Sequence, residues 1–236
     1  VTNEPVIPEF GEASRCVDEN RFFCTDWVRD NWADVLGPAL LQHVRLTAIA
    51  VAVGFAIAFA AALVAHRFGI VEGPFAAFSA LVYTIPSIAL FQLLVPVTGL
   101  SVLTVEVALV GYTLLILFRN MLEGLRSAPA EVLEAARGMG YTQRQMLWRV
   151  ELPLALPAIV AGLRVATVST IAIATIAAFV IPEGLGKPIF DGLQQFFKTE
   201  IVAAGLLAIV LALVADALLV LAQCALTPWA YARRTA

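Results

Sequence analysis

Five stretches of this chain are apolar for long enough to cross a lipid bilayer as helices, and nothing constrains the fold more. A hydrocarbon core about 30 Å thick takes about 20 helical residues. Residues 44–65, 75–96, 102–118, 157–181 and 201–222 reach or approach that length with few charges. Inside lipid every backbone polar group must be satisfied within the protein, so spans of this kind are helical. The expected fold is an all-α integral membrane protein with five transmembrane helices. Composition agrees, since 61% of the 236 residues are hydrophobic, 14% are charged and mean hydropathy is +0.88, unlike a water-soluble domain. A membrane enzyme would need a nucleophile or metal-ligand constellation. The chain has two histidines, His43 and His66, flanking the first span on opposite sides, and neither an HExxH nor a nucleophile-elbow pattern. No catalytic or metal site is expected, and a formal net charge of −3 implies no nucleic-acid partner.

Residues 1–43 form a polar head rich in acids, including Glu4, Glu9, Glu12, Asp18, Asp26 and Asp34. Within it Trp27, Trp32, Val35, Leu36 and Leu40 recur near helical period, which predicts an amphipathic helix over 26–41 lying on the bilayer surface. Cys16 and Cys24 are close enough in sequence to close a small disulfide loop in an oxidising compartment; in a reducing one they are two free thiols. Basic residues set the orientation. Arg67, then Arg119, Arg126, Arg137, Arg144 and Arg149, then Arg233 and Arg234 all fall on one side of a five-span chain. Lys and Arg are retained in the cytoplasm, so the N-terminus is expected outside and the tail, 224–236, inside.

That topology places the polar island 119–156 in the cytosol. Ser127 and Pro129 suit a helix start, Glu131 and Glu134 sit early where the dipole favours acids, and Gly138 and Gly140 permit a stop. Thr142-Gln-Arg-Gln145 has capping-box spacing for a second short helix, closed by Pro153 and Pro157. Two stubby helices on a glycine joint make a rigid projecting element; the alternative is a plain solvated loop.

Glu134-Ala-Ala136, three residues, Gly140, nine residues, Val150, one residue and Leu152-Pro153 resemble the EAA signature of permease subunits of bacterial ABC importers, with Val150 where the family usually carries isoleucine. Thr84-Ile-Pro-Ser-Ile-Ala-Leu90, Arg119-Asn120, Ala161-Gly-Leu-Arg164, Ala174-Thr-Ile-Ala177 and Gly184-Leu-Gly186 are similar to the branch that imports glycine betaine, carnitine and choline. The resemblance implies a type I importer permease fold over 44–223 in the inner (cell) membrane. It also implies a second permease subunit, a cytoplasmic ATPase dimer and an extracytoplasmic solute-binding protein. ATP and Mg would sit on the ATPase, with no cofactor on this chain. Residues 131–140 would be the coupling helix. There Glu131, Glu134 and Arg137 would meet the motor, Ala135 and Ala136 would pack closely, and Gly138 and Gly140 would form the joint. A methionine-type amino-acid permease is the alternative within importers.

On the pore side the candidates are Tyr83, Pro86, Ser87 and Gln92 in the second span and Thr170, Thr175 and Phe179 in the fourth. Proline in mid-span is tolerated where neighbouring groups satisfy the freed carbonyl, so Pro86 faces protein or a cavity, or simply kinks the helix. Ionisable groups inside spans are costly and mark function or structure. Arg164 is expected to snorkel toward cytosolic water or to line the inner mouth, and Asp216 to accept a hydrogen bond from a facing helix. Glu106 is expected near the outer end of its span. In an ion-coupled secondary transporter, the rival class, Glu106 and Asp216 would be the coupling sites.

Overall fold

Helix α5 (Val102–Arg126) is the axis of the bundle, and its sequence explains why. Val105, Leu109, Leu117, Phe118, Met121 and Leu125 repeat at helical spacing and are all buried. Ser101 caps its start by accepting a hydrogen bond from the Thr104 N–H. The computed structural model describes Cys16 and residues 19–228, and the acids of the first fifteen residues, Asp18 and the tail Arg233 and Arg234 lie outside the described residues.

Helix α2 (Gly37–Arg67) lies along α5 through a stripe of small residues, Ala50, Gly54, Ala58, Ala62 and Ala65. A Cβ on Gly54 would fall 1.9 Å from Thr113 Oγ1, so the absence of a side chain sets how closely the two helices approach. Ala50 packs with Val105 and Leu109, and Ala58 to Ala65 with Leu114 to Leu125, so the two helices run parallel. The 26–41 amphipathic helix is not formed as expected. Instead α1 (Thr25–Asp30) is a single short element, and a π turn (Trp32–Leu36) runs straight into α2. The first apolar helix thus begins at Trp32, because the hydrophobic period that reads as a surface helix continues unbroken into the span.

The second expected span is two helices, α3 (Glu72–Thr84) and α4 (Ser87–Thr98), bent by 104° at Ile85-Pro86. Proline removes a backbone donor and disfavours helical geometry at the residue before it. Ile85 accordingly sits at φ −70°, ψ 128°, and its carbonyl accepts the Tyr112 hydroxyl from α5. The break is far sharper than a kink, and a protein group rather than a void satisfies it.

Beyond α5 comes α6 (Ala130–Gly138), and then a helix that differs from expectation. The second island helix does not close at Pro153 and Pro157. Its first turn, α7 (Gln143–Met146), passes through a π turn (Leu147–Glu151) into α8 (Leu152–Ala174) and a 3-10 turn (Thr175–Phe179), an unbroken run of 37 residues. The widened turn lies just ahead of Pro153, where the proline ring would otherwise press on the carbonyl one turn back. The stretch 182–200 contains α9 (Gly186–Gln194), and α10 (Lys198–Leu226) is the last long helix among the described residues. Among the described residues four helices are long and apolar enough to span a membrane, and the bent pair makes a fifth if it counts as one span. The order is that of a multi-pass membrane bundle.

Candidate functional site

One end of the bundle carries α6, held out on a defined joint. Gly140 adopts φ +81°, a conformation that costs any residue with a Cβ. The Tyr141 N–H reaches the Ala136 carbonyl and the Gly140 N–H reaches that of Arg137, the paired bonds of a Schellman stop. The next helix starts at once. Thr142 Oγ1 accepts from the Gln145 N–H while Gln145 Oε1 accepts from the Thr142 N–H, the reciprocal capping box that the spacing predicts.

The faces of α6 divide sharply. Ala136, expected to pack closely, is buried against its own chain, whereas Ala135 is exposed. Glu131, Glu134, Ala135, Arg137, Gly138 and Gly140 are exposed, and Val132 (42%) and Met139 (68%) add an apolar patch among the charges. Among the described residues no ion pair engages Glu131, Glu134 or Arg137. An ion pair and a histidine–carboxylate hydrogen bond brace the base of this projection. Arg126 grips Glu72 with both terminal nitrogens at 2.6 and 3.1 Å, tying the end of α5 to the start of α3. His66 Nε2 lies 2.9 Å from Glu151 Oε2, tying the end of α2 to the π turn. These two contacts join the ends of α2, α3, α5 and the start of α8 beside α6.

The pore-side candidates separate as well. Tyr83, Pro86, Gln92 and Phe179 are exposed, and Ser87 and Thr175 partly so. Thr170 is buried, with its hydroxyl donated to the Ala166 carbonyl, which removes it from any lining in this structure. Phe179 meets Phe190 of α9 edge-on at 4.8 Å. Phe197 is buried against Trp27 while Phe196 is 81% exposed. Arg164 does not snorkel: its Nε and a terminal nitrogen donate to the two oxygens of Asp216 at 2.8 and 2.9 Å, so α8 and α10 share a bidentate ion pair. The hydrogen bond expected of Asp216 thus comes from Arg164, 52 residues away. Both Glu106 oxygens are buried and have no hydrogen-bond partner among the described residues.

A further polar anchor escaped the sequence reading. His43, buried in α2, accepts the Leu185 N–H on Nδ1 and therefore carries its proton on Nε2, which donates to the Ile171 carbonyl at 3.0 Å. Gln42 Oε1 takes the adjacent Gly184 N–H. A histidine and glutamine at the head of a span, facing a Gly-Leu-Gly turn, is the signal that would have found it.

A multi-pass helical bundle with a broken span and an exposed helix at one end has the form of a membrane transport component. The chain belongs to the family described as the binding-protein-dependent transport system inner membrane component, which it matches over residues 40–230. It is 34% identical over 187 residues to the choline transport system permease protein OpuBB of Bacillus subtilis, covering 79% of this chain and 86% of that one. It is 36% identical over 207 residues to the osmoprotectant import permease protein OsmW of Salmonella typhimurium, covering 86% and 96%. The fold resembles a solved structure of the MetNI methionine ABC transporter in inward-facing conformations, with a TM-score of 0.71 and 20% identity over 81% of this chain and 96% of that one.

Proposed function

We propose that this chain is the pore-forming permease subunit of an ATP-driven importer for a small quaternary-ammonium compatible solute such as glycine betaine, carnitine or choline. The observation that carries the reading is α6: an exposed helix of mixed charge and apolar surface, stopped by Gly140 and braced at its base by the Arg126–Glu72 ion pair and the His66–Glu151 hydrogen bond. Such a helix suits docking in a cleft of a cytoplasmic ATPase, which binds ATP and Mg. Closure of an ATPase dimer moves both coupling helices, the connected spans switch the access of the pathway, and hydrolysis resets it. The second permease subunit is a copy of this chain or a close relative, and a solute-binding protein delivers cargo on the opposite side. In this orientation α6 is cytoplasmic and the end that holds the Cys16–Cys24 disulfide is outside. The names of the relatives favour an osmoprotectant cargo, while the methionine alternative rests on likeness of fold. In the ion-coupled alternative Glu106 and Asp216 would be the coupling sites, yet Asp216 is held by Arg164.

Reconstitution of the chain with its ATPase and binding protein in vesicles tests the proposal. Glycine betaine uptake is expected to require ATP, and uptake that persists without ATP sinks it. Glu134→Ala is expected to cut uptake at least tenfold without loss of membrane insertion. Unchanged uptake removes Glu134 from the coupling role.

A further inference from the structure

Where α2 ends, a pocket of about 370 Å³ opens beside the helical run that starts at α7, lined by Leu63, His66 and Arg67 on one side and Arg144, Leu147 and Glu151 on the other. Small-molecule sites measure about 300–1,000 Å³, so the volume suits a compact ligand. His66 Nε2 donates to Glu151 Oε2 at 2.9 Å, and these two satisfy each other across the pocket. The arginines do not. Both are exposed, and among the described residues no ion pair engages either guanidinium. Two guanidiniums against one carboxylate leave a positive excess of one charge before His66 is counted.

The pocket lies at the edge of the bilayer. Arg67 closes an apolar run of 36 residues, and the chain turns back at once through Phe68 and Ile70, 59% and 85% exposed, into α3. Apolar side chains this bare suit lipid rather than water. Leu63, one turn before Arg67, is on the hydrocarbon side of it, while Arg144 stands seven residues, about 10 Å, outward of Glu151. The headgroup layer is about 5–8 Å deep on each face. The pocket therefore runs from the hydrocarbon edge out through that layer, apolar at its inner end and cationic beyond. Trp148, half exposed on the same π turn, is a residue type that favours this depth.

We propose that this pocket takes the headgroup phosphate of an anionic phospholipid from the leaflet at the α6 end, held by Arg67 and Arg144, with an acyl chain leaving past Leu63. Guanidinium forks match phosphate oxygens in pairs. The single negative charge of a phosphodiester meets the excess of one, whereas a choline phospholipid brings its own cation and gains less. Glu151 opposes the phosphate, but one of its oxygens is already taken by His66. Basic pockets between transmembrane helices are where anionic headgroups bind. Lipid rather than the motor protein is the occupant because Leu63 lies within the apolar span, where no soluble subunit reaches. The bound lipid joins α2 to α7 alongside the His66–Glu151 contact, whichever solute the chain carries.

The test uses the chain assembled with its ATPase in phosphatidylcholine vesicles doped with phosphatidylglycerol. The complex is extracted gently and the phospholipids retained on it are identified by native mass spectrometry. Phosphatidylglycerol is expected to be enriched over its share of the bilayer. Arg67→Gln and Arg144→Gln are each expected to cut that enrichment about fivefold, the worth of one basic residue at an anionic surface, and the double substitution to remove it. Arg67→Lys is expected to keep most of it, and Arg149→Gln, exposed on the π turn outside the pocket, all of it. Equal retention of the two lipids, or enrichment that survives the double substitution, overturns the proposal. Displacement of the lipid by millimolar inorganic phosphate reassigns the pocket to a soluble anion and overturns it too. Enrichment seen only when the ATPase is left out gives the pocket to the motor instead. Should the double variant fail to assemble, the single substitutions and the comparison of the two lipids on the parent complex decide.

Discussion

At the scale of single residues, buried polar groups decide where this bundle bends and where it stays straight. The break at Pro86 leaves the Ile85 carbonyl without a helical partner, and the Tyr112 hydroxyl of α5 donates to it. Leaving a buried acceptor unsatisfied costs about 1–3 kcal/mol, so Tyr112→Phe is expected to lower the thermal midpoint of the detergent-solubilised protein by several degrees. Tyr83→Phe is the matched control, because Tyr83 stacks edge-on against Tyr112 but its hydroxyl has no hydrogen-bond partner among the described residues. Equal effects of the two substitutions would deny the Tyr112 hydroxyl its particular role at the bend. The same logic distinguishes the intramembrane charges. Arg164 and Asp216 satisfy each other across two helices, whereas the Glu106 oxygens are buried without a partner among the described residues.

At the scale of elements, the projecting helix α6 depends on its stop. An alanine at φ +81° is strained by roughly 1 kcal/mol, enough to shift a local equilibrium about fivefold. Gly140→Ala is therefore expected to fray the joint and lower ATP-driven uptake several-fold while assembly is retained. Gly138 lies inside the helix with open space around it, so Gly138→Ala is expected to leave uptake unchanged or to raise stability slightly. Matching losses for both would deny the joint its role. This joint was legible in the sequence because a glycine stop and a capping box are local signals, each read within a few residues. The prolines were misread for the opposite reason. Pro153 and Pro157 look like terminators, yet a π turn absorbs the first and the helix continues, while Pro86 looks like a kink and ends a helix outright. What a proline does depends on which groups from other helices reach the freed carbonyl, and one chain segment does not contain that information. The ion pair of α8 and α10 was hidden for the same reason, with its partners 52 residues apart and each readable alone as a lone charge.

At the scale of the whole molecule, the two ends of the bundle are built differently, and the difference gives a direct handle on orientation. The end opposite α6 is closed by the segment around the bonded Cys16 and Cys24, which shares a core with Trp27, Leu36, Phe197, Ala203 and Ala204. Asn20 donates to the Phe196 carbonyl and accepts the Lys198 N–H, so the segment is clamped onto the start of α10. A disulfide closing so short a loop contributes about 2–3 kcal/mol in the chain-entropy account, and such bonds persist in oxidising compartments. Both facts converge on one experiment in whole cells carrying Cys224→Ser. A membrane-impermeant maleimide is expected to leave the protein unlabelled until an impermeant reductant is added, and then to label it without permeabilisation. Labelling before reduction denies the bond, and labelling that needs permeabilised cells puts this end in the cytosol and α6 outside, out of reach of any ATPase. Cys16→Ser with Cys24→Ser is expected to lower the thermal midpoint while ATP-driven uptake at moderate temperature survives, because the clamp lies at the far end of the bundle from the element that the motor moves.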